Sequence, residues 1–173
     1  MAKKASAAPR AAIQGKPFLH VTLRAFAHAT EDPRKVRAAL AFAAGFDPDA
    51  SADDAARFDE GTTATKSEGH FRNPITIYET ELKRTADVRR FWQHLLGEPS
   101  IRDRLRAEVD ERLDDDLVFW LRLDKQLAAE KRLRLVAGED VIVARAKLGT
   151  FPRDRDVGMR FLADFLGADD ASP

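Results

Sequence analysis

The sequence predicts an α+β protein built as a two-layer sandwich around a mainly antiparallel sheet of about five to six strands. Two observations support this prediction. Several segments alternate apolar and polar residues with the period of two that half-buried strands show, and links of hairpin length join most of them. Other segments carry a single apolar stripe at helical spacing. We therefore expect helices on one face of the sheet and an opposite, basic face open to solvent.

The predicted strands share this alternation and cover residues 18–26, 75–82, 117–123, 132–136 and 141–148. A further strand around 58–66 is predicted within a loop, residues 47–72, of weak periodicity. Residues 138–140, Gly-Glu-Asp, are predicted to turn between the last two strands. The strand at 75–82 is ambiguous, because Glu79 and Glu81 fall on the side of its two isoleucines. Either it leaves the core early or a bulge resets its alternation, and the side taken by Tyr78 depends on the outcome.

The predicted helices start at capping residues and end at glycines. Their starts are Asp32 with Pro33, Thr85, Pro99 with Ser100, and Asp156. Gly45, Gly97 and Gly167 end three of them. The helix that opens at Pro99 is expected to carry its apolar stripe as far as Leu113.

Charge is distributed unevenly on the predicted strands. The chain has a formal net charge of zero, with 29 basic residues against 29 acidic ones. The outward positions of the strands are nevertheless mostly basic, aromatic or small polar, and include Arg24, Trp120, Arg122, Arg145 and Lys147. Such a surface suits a polyanion with stackable bases. Because arginine and threonine are common on any exposed sheet, solubility is the alternative explanation.

Composition excludes several classes of protein. The chain has no cysteine, which excludes disulfides, thiolate catalysis and cysteine-ligated zinc. No apolar run approaches the roughly 18 residues of a membrane span. Residues 1–16 are basic without the apolar centre of a secretory signal, so we expect a disordered arm there, a single domain over 17–167 and an acidic tail over 168–173. A cytoplasmic location is expected.

Candidates for catalysis are few. The four histidines lack the spacing of a helical zinc site, and the chain has no glycine-rich phosphate loop or nucleophile elbow. His28 with Glu31 and Asp32 can form an acid–base or metal pair. The alternative is that His28 ends a strand while the two acids stabilise the dipole of the following helix. Residues 114–116, three aspartates, are explained in the same way as a solvated link. We therefore predict no enzyme activity, cofactor or metal.

Three short strings carry a resemblance to a known family: His28-Ala-Thr-Glu-Asp32, Asn73-Pro-Ile75 and Leu123-Asp-Lys-Gln126. In order and placement they resemble the archaeal family of RNA-binding proteins or predicted exosome subunits. The fold of that family is similar to the 5S-RNA-binding ribosomal protein of the large subunit. The resemblance covers roughly residues 19–152, including 138–142 and 147–152. It departs at Arg72, where the family has glycine, and at 129–131, where an aromatic residue and a glycine are replaced and the link becomes more helical.

The resemblance implies an α+β fold and RNA as the partner, with exosome or ribosomal components beside it. In this picture the strand cations contact phosphates, namely Arg24, Arg122, Arg145 and Lys147. The residues in loops at strand ends reach base edges or sugar hydroxyls, namely His28, Arg72, Asn73, Lys125 and Gln126. Two simpler roles stay open. Asn73 shapes the turn before Pro74, and Asp124 caps the link that follows Asp124 itself.

The predicted function is a non-catalytic RNA-binding protein acting in RNA processing or degradation, or in ribosome assembly. One alternative is a protein–protein adaptor whose open sheet face docks an acidic partner. The other is a metal-dependent hydrolase that uses His28 and Asp32.

Overall fold

The computed structural model describes residues 16–167, so the predicted acidic tail and nearly all of the predicted basic arm lie outside the described residues. The strands are β1 (Phe18–Ala27), β2 (Thr62–Glu68), β3 (Pro74–Leu82), β4 (Val118–Asp124) and β5 (Val141–Leu148). The helices are α1 (Pro33–Ala43), α2 (Ala52–Gly61), α3 (Thr85–Leu96), α4 (Pro99–Ala107), α5 (Val109–Arg112), α6 (Lys125–Ala129) and α7 (Arg155–Gly167). This confirms the predicted α+β two-layer sandwich. Across residues 16–167, none of the helices combines the length and apolarity needed to cross a bilayer.

The five strands form one antiparallel sheet in the order β2-β3-β1-β5-β4. Leu23 at the centre of β1 lies opposite Thr80 of β3 and Ala144 of β5, and all three are fully buried. Thr62 of β2 and Leu121 of β4 extend this row, and since side chains alternate between faces, it fixes the core side of every strand. The helices pack on that side, and their apolar stripes complete one continuous core.

The ambiguous strand β3 takes neither of the two expected courses. Tyr78 lies opposite Ala25 on the core side, and Glu79 lies opposite Arg24 on the solvent side. Pairing with β1 is uninterrupted from Thr76 to Leu82, so no bulge resets the alternation. The isoleucines of β3 face the open side, and the buried Thr80 satisfies its hydroxyl with that of Thr62 at 2.9 Å. The isoleucines of β3 therefore do not indicate its core side, although they are apolar and β-branched.

Two strand predictions were wrong in detail. Residues 132–136 form no strand and make only an isolated bridge between Leu135 and Leu123, so the turn at 138–140 closes no hairpin. In the loop over 47–72, helix α2 precedes β2, which begins at Thr62. The hydroxyl of Ser51 accepts the amide of Asp54 at 3.3 Å and caps α2. This helix buries only Phe58, too little apolar surface for a visible period.

Capping was predicted correctly at one helix and incorrectly at two. Thr85 was expected to cap α3, but it is the first residue of that helix, and Arg84 before it makes no side-chain capping bond. Asp32 Oδ1 accepts the Arg34 amide at 2.9 Å, as expected for the start of α1. At α7 the cap is Asp154, which accepts the amides of Asp156 and Val157 at 2.9 and 3.2 Å. Asp156 itself lies in the first turn, where its charge still favours the helix dipole.

Candidate nucleic-acid interface

The open face is the side of the sheet opposite the helices. Arg145 on β5 pairs with Trp120 of β4 and Thr22 of β1, which places these side chains in one row across three strands. The neighbouring positions along these strands complete the set of predicted cations on this face, namely Arg24, Arg122 and Lys147. The four cations predicted to contact phosphates thus share one surface.

One carboxylate lies between two of these arginines. Arg24 Nε donates to Glu79 Oε2 at 2.7 Å, and Arg145 Nη2 lies 3.8 Å from the same oxygen. The expected basic, aromatic or small polar character of the open face therefore fails at β3, which brings Glu79 and Glu81 to this face. The two guanidiniums already converge on an anion, which is the arrangement that a phosphate requires.

The other two cations bind backbone carbonyls. Arg122 donates to the carbonyl of Gly138 at 3.0 Å, and Lys147 donates to the carbonyl of Asp116. A guanidinium carries five N–H groups and an ammonium three, so one such bond leaves donors for a ligand. These contacts hold the side chains near the sheet without neutralising their charge.

Trp120 is the one large aromatic side chain of β4 on the open face, and it is 39% exposed. Its indole Nε1 donates to Asp114 Oδ2 at 2.8 Å. The guanidinium carbon of Arg145 lies 5.8 Å from the ring centroid, within the range of a cation–π contact. The ring is therefore oriented by two contacts while much of its surface meets solvent.

The loop residues predicted to read RNA gather at one end of the sheet. Ala27 at the end of β1 pairs with Thr76 near the start of β3, and the end of β4 pairs with the start of β5. The exposed side chains of Arg72 and Asn73 occupy the β2–β3 turn. Arg72 has a left-handed φ of 59°, and Gly69 bonds the carbonyl of Asn73 at 2.8 Å. Asn73 thus shapes the turn through its backbone and leaves its side chain in solvent.

Lys125 lies at the same end of the sheet but is only 2% exposed. Its Nζ donates to Glu31 Oε2 at 2.8 Å and to the carbonyl of Phe26 at 2.9 Å, and it forms an ion pair with Asp140. His28 completes this group, with Nε2 3.9 Å from Asp140 Oδ1. We call His28, Glu31, Lys125 and Asp140 the Lys125 cluster.

The Lys125 cluster joins two of the strings that carry the family resemblance, 28–32 and 123–126. A buried ammonium with three oxygen partners supports the structure of the cluster, and the contact of Lys125 with base edges or sugar hydroxyls stays a prediction. Gln126 next to it is exposed. It lines a cavity of about 200 Å³ together with Glu31 and Asp32.

Hydrogen bonds stabilise the charged forms of two carboxylates in this region. Burial raises the pKa of Glu31, but the bonds from Lys125 and the His28 amide outweigh it and leave the pKa below its ordinary value. The pKa of Asp124 is lowered first by the Leu127 amide, which its carboxylate accepts as the predicted cap of α6. Both carboxylates are therefore stabilised in their charged forms.

The hydrolase alternative placed a metal between His28 and Asp32. Asp32 instead caps α1. Among residues 16–167, the group able to offer ligands is His28, Glu31 and Asp140, whose candidate ligand atoms lie within 4.8 Å of one another. The ammonium of Lys125 already bridges the two carboxylates of this group. A cation would have to displace it.

Comparison with known proteins identifies the family of this chain. A family model described as RNA binding matches residues 20–148, a range that holds all three strings and the open face. The chain belongs to this RNA-binding family. An RNA-binding protein of Pyrococcus abyssi is 34% identical over 159 residues, covering 90% of this chain and 99% of that protein. The predicted resemblance to archaeal RNA-binding proteins is thereby confirmed.

Solved structures of archaeal proteins share the fold of this family member. A DUF54 protein from Archaeglobus fulgidus superposes with a TM-score of 0.70 at 29% identity, covering 86% of this chain and 99% of that one. A DUF54 protein from Methanothermobacter thermautotrophicus gives a TM-score of 0.65 at 26% identity, covering 86% and 98%. The similarity extends over nearly the whole of both proteins.

Sequence reasoning missed three acids that shape the site of this RNA-binding family member. The sequence does not indicate which face of β3 carries Glu79, because two isoleucines lie on the same side of the strand. Asp114 and Trp120 meet across a turn, and no periodicity links positions six apart in that way. Asp140 belongs to the segment 138–142 of the resemblance, which is the only signal that pointed to it.

Proposed function

We propose that this protein is a non-catalytic, cytoplasmic RNA-binding protein whose open sheet face holds the RNA backbone. The observation that carries the proposal is the placement of four cations on one solvent-facing surface, namely Arg24, Arg122, Arg145 and Lys147. Membership of the RNA-binding family supports RNA as the polyanion. His28, Arg72, Asn73 and Gln126, at the end of the same sheet, are proposed to contact bases and sugar hydroxyls.

The charge of this face does not follow from an overall excess of cations. The whole chain has a formal net charge of zero, so the acids lie mainly elsewhere. Since neighbouring strands are about 4.8 Å apart, a backbone that crosses β4, β5 and β1 meets cations on each strand in turn. Binding by several such contacts depends strongly on salt, because each neutralised phosphate releases counterions.

The biological process proposed is RNA processing or degradation in association with the exosome, or ribosome assembly. The support is the resemblance of residues 28–32, 73–75 and 123–126 to the archaeal family with those associations. Purification from the host with and without nuclease tests this role. A partner that stays bound after RNA is digested would favour the adaptor alternative instead.

The binding test replaces two cations of the open face. We expect Arg145→Glu with Lys147→Glu to weaken RNA binding at least tenfold, with little change in melting temperature, since both side chains are partly exposed. Fluorescence anisotropy with labelled RNA measures the affinity. For the wild type, log affinity should fall by about 0.7 per log salt for each phosphate contacted on single strands.

The matched control changes charge equally on the helical side. Arg89→Glu with Arg160→Glu alters two exposed arginines of α3 and α7 and should leave most of the affinity intact. Equal loss in both double variants would mean that net charge alone drives binding. Salt-independent binding, or full affinity in the open-face variant, would overturn the proposal.

A further inference from the structure

The indole of Trp120 lies among cations on a surface where apolar rings are unfavourable. Its exposed fraction of 39% contrasts with Trp92, which is 4% exposed and packs on Phe18 with ring centroids 4.7 Å apart. A partly exposed ring beside a guanidinium can pack against that cation and can also stack on a base. Trp92 is therefore part of the core, whereas Trp120 keeps part of its ring surface in contact with solvent.

The ring of Trp120 is held in place before any ligand arrives. Asp114 accepts the indole N–H at 2.8 Å, and the same aspartate accepts the Val118 amide at 2.8 Å, which fixes the carboxylate. Arg112 donates to the Trp120 carbonyl at 3.2 Å. A preorganised ring loses little conformational entropy on binding. This is the property expected of a stacking platform.

Phosphate-binding groups lie beside the ring. Arg145 is directly opposite Trp120 in the β4–β5 register, and Lys147 lies opposite Val118, two residues along β4. A base on the indole therefore has cations within reach of its own or the next phosphate. In a duplex the faces of the bases are covered by their neighbours, so only an unpaired base can use this ring.

We infer that the open face binds single-stranded RNA, with one unpaired base stacked on Trp120 and the adjoining phosphate at Arg145 and Lys147. The inference rests on the proposed function and adds the class of RNA that is bound. Stacking is tolerant of sequence, because every base has a π face. Duplex RNA and polyanions without bases should bind through charge alone.

The optical test uses Trp92→Phe, which keeps an aromatic ring in the core and leaves Trp120 as the only tryptophan. Saturation with oligoadenylate should change the emission of Trp120 and protect it from acrylamide quenching. Duplex RNA and inorganic polyphosphate, at concentrations that also saturate, should leave both nearly unchanged. Equal changes with all three ligands, or no change with oligoadenylate, would overturn the inference.

The binding test compares Trp120→Leu with Trp120→Phe. Loss of one stacked base corresponds to a roughly 5- to 150-fold weaker affinity, so Leu should weaken oligoadenylate binding within that range and Phe should recover much of it. Polyphosphate affinity should be unchanged in both, which controls for folding and charge. If Leu leaves oligoadenylate affinity intact while the variant Arg145→Glu with Lys147→Glu loses it, the stacking inference fails and the proposed function stands. If that double variant also binds normally, the proposed function fails as well.

Discussion

Cations occur in two different settings at this sheet. On the open face, the side chains of Arg24 and Arg145 are 45% and 39% exposed and share the carboxylate of Glu79. At the end of the sheet, Lys125 is 2% exposed and is enclosed by Glu31, Asp140 and a backbone carbonyl. An exposed ion pair is weak and exchanges readily with another anion. A buried one is costly to break.

The difference separates binding from stability. A charge that keeps its contact with water can exchange a carboxylate for a phosphate, because both partners stay solvated during the exchange. The ammonium of Lys125 has lost its water and depends on its oxygen partners. Residue type alone does not distinguish the two settings. Substitutions of the open-face cations should change RNA affinity, whereas substitution of Lys125 should lower the free energy of unfolding.

The largest expected effect is on the free energy of unfolding of Lys125→Met. The change leaves Glu31, Asp140 and the Phe26 carbonyl without their shared donor. We expect a loss of roughly 3 kcal/mol, the lower part of the range for breaking a buried ion pair, since both carboxylates retain some contact with water. Urea unfolding followed by circular dichroism measures it.

The control for this variant is Lys66→Met, on the exposed edge strand β2, with an expected change within about 0.5 kcal/mol. RNA affinity of Lys125→Met, measured at a temperature where the variant is folded, should stay close to that of the wild type. A variant that is stable but no longer binds RNA would show that Lys125 contacts the ligand and would end the distinction between the two settings.

A smaller effect on the free energy of unfolding is expected from titrating Glu31. The pKa of Glu31 is lower in the folded protein, so its contribution is present above the unfolded-state pKa and is lost as pH falls through the folded pKa. Unfolding free energies should therefore decline as pH falls below about 4.5, and less steeply in Glu31→Gln. Identical pH profiles for the two proteins would mean that Glu31 does not sense Lys125.

Much of the fold was predictable because β1 and β5 obey a simple alternation. Positions such as Leu23 and Arg24 differ so much in polarity that their faces follow from chemistry alone. β3 does not follow this alternation, because its isoleucines lie on the open side. Its buried Thr80 forms a hydroxyl–hydroxyl hydrogen bond with the neighbouring strand β2. Residues 132–136 alternate equally well, yet form only one bridge. Local pattern cannot report whether a pairing partner exists.

The sequence indicated which segments contribute to the site, but not which of their side chains bond to one another. The strings at 28–32 and 123–126 were recognised separately, and nothing in either shows that Lys125 bonds Glu31, 94 positions away in sequence. The Asp114–Trp120 bond likewise depends on how a turn folds back. Which charges are buried is set by long-range packing, and that is why Lys125 was grouped with the loop residues predicted to reach bases and sugar hydroxyls.

The smallest effect tests the open face itself, through Glu79→Gln. Removing this carboxylate frees Arg24 and Arg145 for phosphate and raises the charge of the face by one unit. We expect RNA affinity to rise about two- to fivefold, because an exposed ion pair competes with the ligand by only about 0.2–1 kcal/mol. Anisotropy titrations at low and moderate salt measure the change, which salt should reduce.

Glu81→Gln is the matched control for this last variant. It removes the same charge from the same face of β3, but its carboxylate pairs with Lys83 at 2.9 Å rather than with the arginines. If Glu79 occupies the position of a phosphate, its replacement should strengthen binding more than that of Glu81. Weaker binding in Glu79→Gln would instead mean that this carboxylate aligns the two guanidiniums for RNA, and the open face would then resemble the Lys125 cluster in depending on its internal ion pairs.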